Sequence, residues 1–280
     1  MLTRTKSRRI SQKYVADVRP CNKTVKVFGL PIAPLTMNEV IDEIDRMIVA
    51  GTPEYLITAN LNFAMIAREN PRLRHCVDQA AMVVADGMPL VWASRLGSRR
   101  LPERVTGADL VPAICERAAK RGHRIFLLGG AEGAAAQAAK KMIARYPGLQ
   151  IAGIEVPPFR AISEQENAKL IARIRSADPD ILFVAYGQPK GDIWILENYR
   201  ELNIPVSIQV GATINFMAGE ISRAPRWVGK IGLEWVHRLI LEPRRLGGRY
   251  ARNAFFLATL ICEGLRGVIQ LRDRHFVVED

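Results

Sequence analysis

The chain is predicted to be an α/β protein built on a Rossmann-like, doubly wound and largely parallel sheet. Three observations predict it. Short apolar runs alternate with amphipathic runs from about residue 55 to residue 210, and the segments that follow the apolar runs are rich in glycine and polar residues. The third is size: 280 residues with 49% hydrophobic content suffice for a full core.

Residues 26–33 read as a short hairpin around Gly29-Leu30-Pro31. Thr36 then caps an amphipathic helix carried by Ile41, Ile44 and Ile48, with Glu39 in the capping-box position. Strands are expected at 55–58, 81–84, 124–128, 150–154, 180–186 and 205–210, and helices between them at 64–69, 110–121, 134–146, 167–176 and 193–201. No internal repeat or low-complexity tract interrupts the alternation.

In such sheets ligands sit at the carboxyl ends of the strands, so the residues just beyond each strand are the candidates for function. Here they are Thr58, Asn60 and Asn62; Asp86-Gly87; Gly129-Gly130-Ala131-Glu132-Gly133; Gly187-Gln188-Pro189-Lys190; and Gly211-Ala212-Thr213. The stretch Gly129-Gly130-Ala131-Glu132-Gly133 opens a helix whose first turn is nearly all alanine, which lets backbone N–H groups approach a diphosphate at the positive helix end. A turn that needs glycine only to join strand to helix would look the same. A dinucleotide fingerprint ending at Gly133 needs glycine where Leu128 stands, although Glu155 mimics the ribose-reading acid.

Asp86 follows the apolar run Ala81-Met82-Val83-Val84-Ala85 and precedes Gly87, which sets a carboxylate at a strand end against an apolar wall. Partial desolvation there favours a general base able to deprotonate a hydroxyl nucleophile; the competing reading is a cap for a helix at 88–96. Arg104 suits a phosphate, or is an ordinary solvated charge.

Charge divides the chain into parts. The formal net charge is +12, yet residues 27–222 hold 21 basic and 21 acidic side chains, while 1–26 hold 8 and 1 and 223–252 hold 8 and 2. The expected organisation is a basic flexible arm at 1–24, an α/β catalytic core at 25–218, and a basic amphipathic membrane and active-site appendage at 219–280. In the appendage Trp227, Leu233, Trp235, Val236, Leu239 and Ile240 recur at roughly helical spacing among Arg226, Lys230, Arg238, Arg244, Arg245 and Arg249. A surface helix packed on the core shows the same spacing.

Cys21, Cys76, Cys115 and Cys262 lie far apart and only four histidines are present, so neither a disulfide framework nor a structural zinc site is indicated and a reducing cytosol is expected. The N-terminus lacks the apolar core of a signal peptide, and the late apolar run at 254–262 is too short to span a bilayer at about 20 residues. Membrane contact is therefore expected to be peripheral. Nucleic acid is not an expected partner, because the excess charge is confined to the ends.

Taken together, the motifs resemble the WecG/TagA/CpsF family of bacterial glycosyltransferases over about residues 25–250. They are Thr58-Ala59-Asn60, Ala85-Asp86-Gly87, Glu103-Arg104-Val105-Thr106-Gly107, Phe126-Leu127-Leu128-Gly129-Gly130, Gly187-x-Pro189-Lys190, Arg223-Ala224-Pro225-x-Trp227, Gly232-Leu233-Glu234-Trp235 and Glu242-Pro243-x-Arg245. The resemblance implies an inverting transferase, without a cofactor or a required metal. It moves sugar from a UDP-sugar to a polyprenyl-diphosphate-linked saccharide in cell-surface polysaccharide biosynthesis, peripherally on the cytoplasmic face of the plasma membrane. An N-acetylmannosamine-like donor is implied first, with glucuronate, glucose and N-acetylmannosaminuronate as other donors. It also implies Asp86 as base, Thr58 and Asn60 as substrate contacts, Arg104 at a phosphate, and Arg238 and Arg245 in a basic lid over the diphosphate; Gly129, Gly130, Gly187, Gln188 and Lys190 complete the expected binding set.

Two positions depart from the family pattern. Pro-Lys-Gln-Glu is here Pro189-Lys190-Gly191-Asp192, and Gly-x-x-Phe-Asp-Phe is here Gly211-Ala212-Thr213-Ile214-Asn215-Phe216, so the donor stays open. A nicotinamide oxidoreductase and a non-enzymatic membrane or nucleic-acid-binding protein are the alternatives from other classes. A homo-oligomer is compatible with all three.

Overall fold

The computed structural model describes residues 24–97, 99–158, 160, 162–220, 228 and 234–273, with the side chains at 238, 245, 261 and 263–273 outside that description. The basic arm up to residue 23 and the expected appendage residues Arg223, Arg226, Trp227, Lys230 and Leu233 lie outside the described residues.

Strands β1 (Val25–Val27) and β2 (Leu30–Ile32) form the expected hairpin. Its two-residue turn is Phe28-Gly29, both at positive φ (49° and 81°), the backbone that matches the twist of paired strands. Helix α1 (Met37–Ala50) starts in the expected capping box, Thr36 accepting from the Glu39 amide while the Glu39 carboxylate accepts from the Thr36 amide.

The main sheet follows. It is formed by β3 (Glu54–Ala59), β4 (Met82–Ala85), β5 (Arg124–Gly129), β6 (Gln150–Glu155), β7 (Ile181–Ala185) and β8 (Val206–Gln209), all pairs parallel, in the order β4-β3-β8-β7-β5-β6. Side chains alternate between its faces, as the two-residue period of a strand demands: Tyr55 and Ile57 enter one core, Leu56 the other. Helices α1, α5 (Gly107–Arg121), α6 (Ala134–Arg145) and α9 (Thr213–Ala218) cover one face through Met47, Ile114, Met142 and Ile214. Helices α2 (Leu61–Glu69), α3 (Pro71–Gln79), α4 (Met88–Ser94), α7 (Glu164–Ser176) and α8 (Lys190–Leu202) cover the other through Phe63, Leu73, Leu90, Ile174 and Trp194. Burying each such side chain contributes about 1.5–3 kcal/mol.

The doubly wound sheet is as expected, and several boundaries move outward for local reasons. Helix α5 starts at Gly107 because Thr106 accepts from the Asp109 amide, and α7 starts at Glu164 through a capping box of Ser163 with Glu166. Helices α3 and α9 were not expected; α3 starts on an Asn70 cap with Pro71 in its first turn.

Winding sets the cleft. From β5 the chain turns into α6 on one face and runs outward to β6, whereas from β7 it turns into α8 on the other face and runs inward to β8. Neighbours β5 and β7 thus send their connections in opposite directions, which opens a crevice at their carboxyl ends. Beyond the sheet, α10 (Glu234–Leu241) and α11 (Pro243–Asp273) meet through Trp235 and Tyr250, ring centroids 5.5 Å apart. Phe256 of α11 is buried edge-on against Phe28 at 6.2 Å, which docks this helix on the hairpin. Among the described residues no helix is long and apolar enough to cross a membrane.

Candidate active site

The predicted residues after β3 and β7 are brought together across β8. Thr58 is buried, its hydroxyl donating to the Gln209 carbonyl at 3.4 Å, and its own carbonyl accepts from Gln188 Nε2 at 3.1 Å. Gln188 therefore ties the β7 loop to β3. Asn60 is half-exposed and caps α2, Oδ1 accepting from the Phe63 amide at 3.0 Å, which uses only the oxygen of its amide.

Asp86 is held beside them. Its backbone N–H donates to the Ala59 carbonyl at 2.8 Å, extending the β3–β4 ladder one residue past the strand, and its side chain is half-buried. The cap position of α4 is Gly87 at φ 137°, a residue without a side chain, and Asp86 stands one residue before it at the end of β4.

The glycine turn after β5 is demanded by backbone and packing together. Gly129 (φ 90°) and Gly130 (φ 98°) lie in the left-handed region, and a Cβ would stand 3.0 Å from Tyr186 Cδ1 at the first and 3.2 Å from Ile214 Cγ2 at the second. One N–H of the turn is already occupied: Ala131 donates to Asn215 Oδ1 at 3.4 Å. Asn215, where the family pattern has a carboxylate, here holds the turn as a neutral acceptor.

Helix starts give the cleft its polarity. α4, α6, α8 and α9 all begin just past strand ends, and none has a side-chain cap, whereas α1, α2, α3, α5 and α7 are capped by Thr or Asn or Ser. Uncapped N–H groups at positive helix ends suit an anion. Gly187 turns the chain at φ 72° into α8, and Lys190 lies with Nζ 5.7 Å over the Tyr186 ring, beside the glycine turn that Tyr186 covers.

The departure at Gly191 has a cause that the sequence did not reveal. A Cβ there would stand 2.7 Å from Gln209 Cγ, so Gln209 fills the space that a side chain at 191 needs. Gln209 Oε1 accepts from the Gly211 amide at 2.5 Å, and its buried Nε2 has no hydrogen-bond partner among the described residues. Next to it, Asp192 is 3% exposed, and burial pushes its carboxyl up to about 7. Only the glycine in place of an amide hinted at this exchange.

Arg104 is neither solvated nor alone. Its guanidinium donates to Glu234 of α10 at 3.2 Å and stands 3.6 Å from Asp109 of α5. For Arg238 and Arg245 the helices are described, but the side chains lie outside the described residues.

Other titratable groups are already buried or paired. Burial pushes the thiols of Cys76 and Cys115 up to about 12, so neither is a nucleophile near neutrality. Glu155, the ribose-acid candidate, is paired with Arg173 at 2.6 Å on the edge strand. Among the described residues no three His, Cys, Asp or Glu side chains group as a metal site needs. A surface hollow lined by Thr52, Glu54, Gln79 and Arg200 opens at the amino end of β3, the opposite pole from these loops.

Fold and cleft define a Rossmann-like α/β protein whose strand ends combine a carboxylate with side-chain and backbone amide donors. Residues 25–269 match the model of the Glycosyl transferase WecG/TagA/CpsF family, and the chain belongs to that family. It is thereby a glycosyltransferase, and the oxidoreductase and non-enzymatic alternatives fall. Among its relatives is an N-acetylglucosaminyldiphosphoundecaprenol N-acetyl-beta-D-mannosaminyltransferase of Bacillus subtilis (strain 168), 30% identical over 80% of this chain and 86% of the relative. Proteins of the same name from Bacillus spizizenii (strain W23) and Staphylococcus aureus (strain NCTC 8325) are 28% and 26% identical, over 68% and 80% of this chain and 72% and 87% of theirs.

Proposed function

We propose that this glycosyltransferase moves an N-acetylmannosamine-like sugar from a UDP-sugar to a polyprenyl-diphosphate-linked saccharide, with inversion, in the assembly of a cell-envelope polysaccharide. The names of the relatives support the acceptor and the sugar. The observation that carries the chemistry is the half-buried Asp86 at the carboxyl end of β4, its backbone anchored to β3 just before α4 begins.

In this reading the acceptor hydroxyl oxygen attacks the anomeric carbon, the bond from that carbon to the diphosphate oxygen breaks, and UDP leaves with the electron pair. Asp86 takes the hydroxyl proton. A single displacement from the face opposite the leaving group inverts the centre. Charge developing on UDP meets the turns of Gly129 and Gly130 before α6 and of Gly187 before α8, together with Lys190, and the family resemblance assigns Arg104, Arg238 and Arg245 to the same diphosphate. Gln188 holds Thr58 and the β7 loop in register, while Asn60 presents its amide to substrate. The basic ends and the lipid-linked acceptor support residence on an anionic membrane at its inner face, with 25–218 as the catalytic core and 219–280 as the appendage.

Donor screening tests this reading. Purified full-length chain, supplied with a short polyprenyl-diphosphate N-acetylglucosamine and a panel of UDP-sugars, should release UDP with the N-acetylmannosamine donor and form an acceptor-linked disaccharide. Release with another UDP-sugar alone would correct the donor, and no acceptor-dependent release with any would refute the reading.

A further inference from the structure

Between Gly87 and Pro102 the chain carries three arginines and no acidic residue, around two large apolar side chains. Helix α4 buries Leu90, Val91 and Ser94 and leaves Trp92 43% exposed. The chain then makes a hydrogen-bonded turn: the Arg95, Leu96 and Gly97 amides donate to the carbonyls of Trp92, Ala93 and Ser94 at 3.1, 3.1 and 3.2 Å. The excursion is closed at its base by Ser94, whose hydroxyl donates to the Val91 carbonyl at 2.7 Å and accepts from the amide of buried Leu101 at 3.0 Å. Leu96 is thus held outward by a built turn, and at 92% exposure no other large apolar side chain among the described residues is more exposed. Arg95, Arg99 and Arg100 flank it in the sequence, all exposed and, among the described residues, without an ion pair.

We propose that this turn is a membrane-contact element in its own right, with Leu96 and Trp92 entering the interface of an anionic bilayer and Arg95, Arg99 and Arg100 meeting lipid phosphates. An aromatic ring beside an apolar knob and cations is the composition that a headgroup boundary accepts. Charge selects lipid over a second copy of the chain, because a two-fold contact through this patch brings three arginines against the same three with no acid between them. The location fits as well. Gly87 alone separates α4 from Asp86 along the chain, and α4 shares its hydrophobic cluster with Phe256 of α11, so lipid bound here lies on the face of the sheet that carries α11 and next in sequence to the proposed base. The inference rests on the proposed lipid-linked acceptor and adds a second anchor, independent of the appendage, that fixes how the cleft faces the bilayer.

Full-length protein, its Leu96→Asp variant and its Arg95→Ser/Arg99→Ser/Arg100→Ser variant are sedimented with phosphatidylcholine vesicles containing or lacking phosphatidylglycerol, and transfer to a water-soluble acceptor analogue is measured in parallel. Leu96→Asp should weaken vesicle binding about tenfold or more. The triple variant should lose most of the preference for phosphatidylglycerol, and both should keep wild-type turnover on the soluble acceptor. Wild-type sedimentation by both variants overturns the proposal, as does a fall in oligomeric mass with vesicle binding intact, which would make the patch a contact between copies. If no variant, nor the wild type, turns over any acceptor while Leu96→Asp still lowers vesicle binding, the transferase reading fails and the lipid contact stands.

Discussion

The guanidinium of Arg104 donates to the carboxylate of Glu234 at 3.2 Å, joining the loop before α5 to the first turn of α10. Both side chains are mostly buried, at 17% and 16% exposure, and Asp109 stands 3.6 Å from the same guanidinium. A phosphate entering here therefore competes with two carboxylates already in place. Glu234→Gln should lower the KM for the UDP-sugar severalfold while the fold is retained, because the guanidinium is then less neutralised. Steady-state kinetics with thermal melting decides it; an unchanged KM would make the pair a tether between loop and appendage only.

Asp192 should make stability fall with rising pH. Its folded pKa, about 7, lies above the ordinary 3.8, so the folded state binds the proton more tightly than the unfolded chain. Its contribution is complete below about 3.8, is lost as pH rises toward about 7, and is constant beyond. At about 1.4 kcal/mol per pKa unit the loss is on the order of 4 kcal/mol. Asp192→Asn should raise the denaturant midpoint at pH 8 relative to wild type and shrink the difference between pH 5 and pH 8; equal pH slopes in the two proteins would contradict the assignment.

Gly191 and Gln209 should behave as one unit. Gly191→Ala places a methyl 2.7 Å from Gln209 Cγ, a crowding expected to cost about 1–3 kcal/mol. Gln209→Ala should relieve most of that cost in the double variant. Urea unfolding of the four proteins of this cycle measures the coupling, and additive effects would mean that the two side-chain positions do not compete for space.

The glycine turn is tested by Gly130→Ala. The residue sits at φ 98°, and the added Cβ stands 3.2 Å from Ile214 Cγ2, so both backbone and packing resist. UDP affinity, read by calorimetry on the folded variant, should fall several-fold as the turn shifts; undiminished affinity would leave the turn a connector.

Much of this was legible in the sequence because it is local. The Thr36–Glu39 capping box spans one helical turn, and each strand's apolar run ends where glycine or a polar residue begins, so the rule that ligands gather at carboxyl ends picked out the loops of Thr58, Asp86, Gly129 and Gln188. Helix α3 escaped because only Leu73, Cys76 and Val77 of its nine residues are buried, too thin a stripe to show a period. The missed site residues are non-local. Glu234 meets Arg104 across 130 residues, and Gln209 acquires its place only when β8 lies under the start of α8, beneath a glycine where the family pattern has an amide.

Single-turnover transfer by Asp86→Asn beside wild type decides whether Asp86 removes the acceptor proton in sugar transfer. An amide cannot take the hydroxyl proton, so the variant should bind UDP with unchanged affinity and form the disaccharide at least about 10²-fold more slowly. Near-normal turnover by a folded variant that still binds UDP would contradict the account and return Asp86 to a structural role at the end of β4.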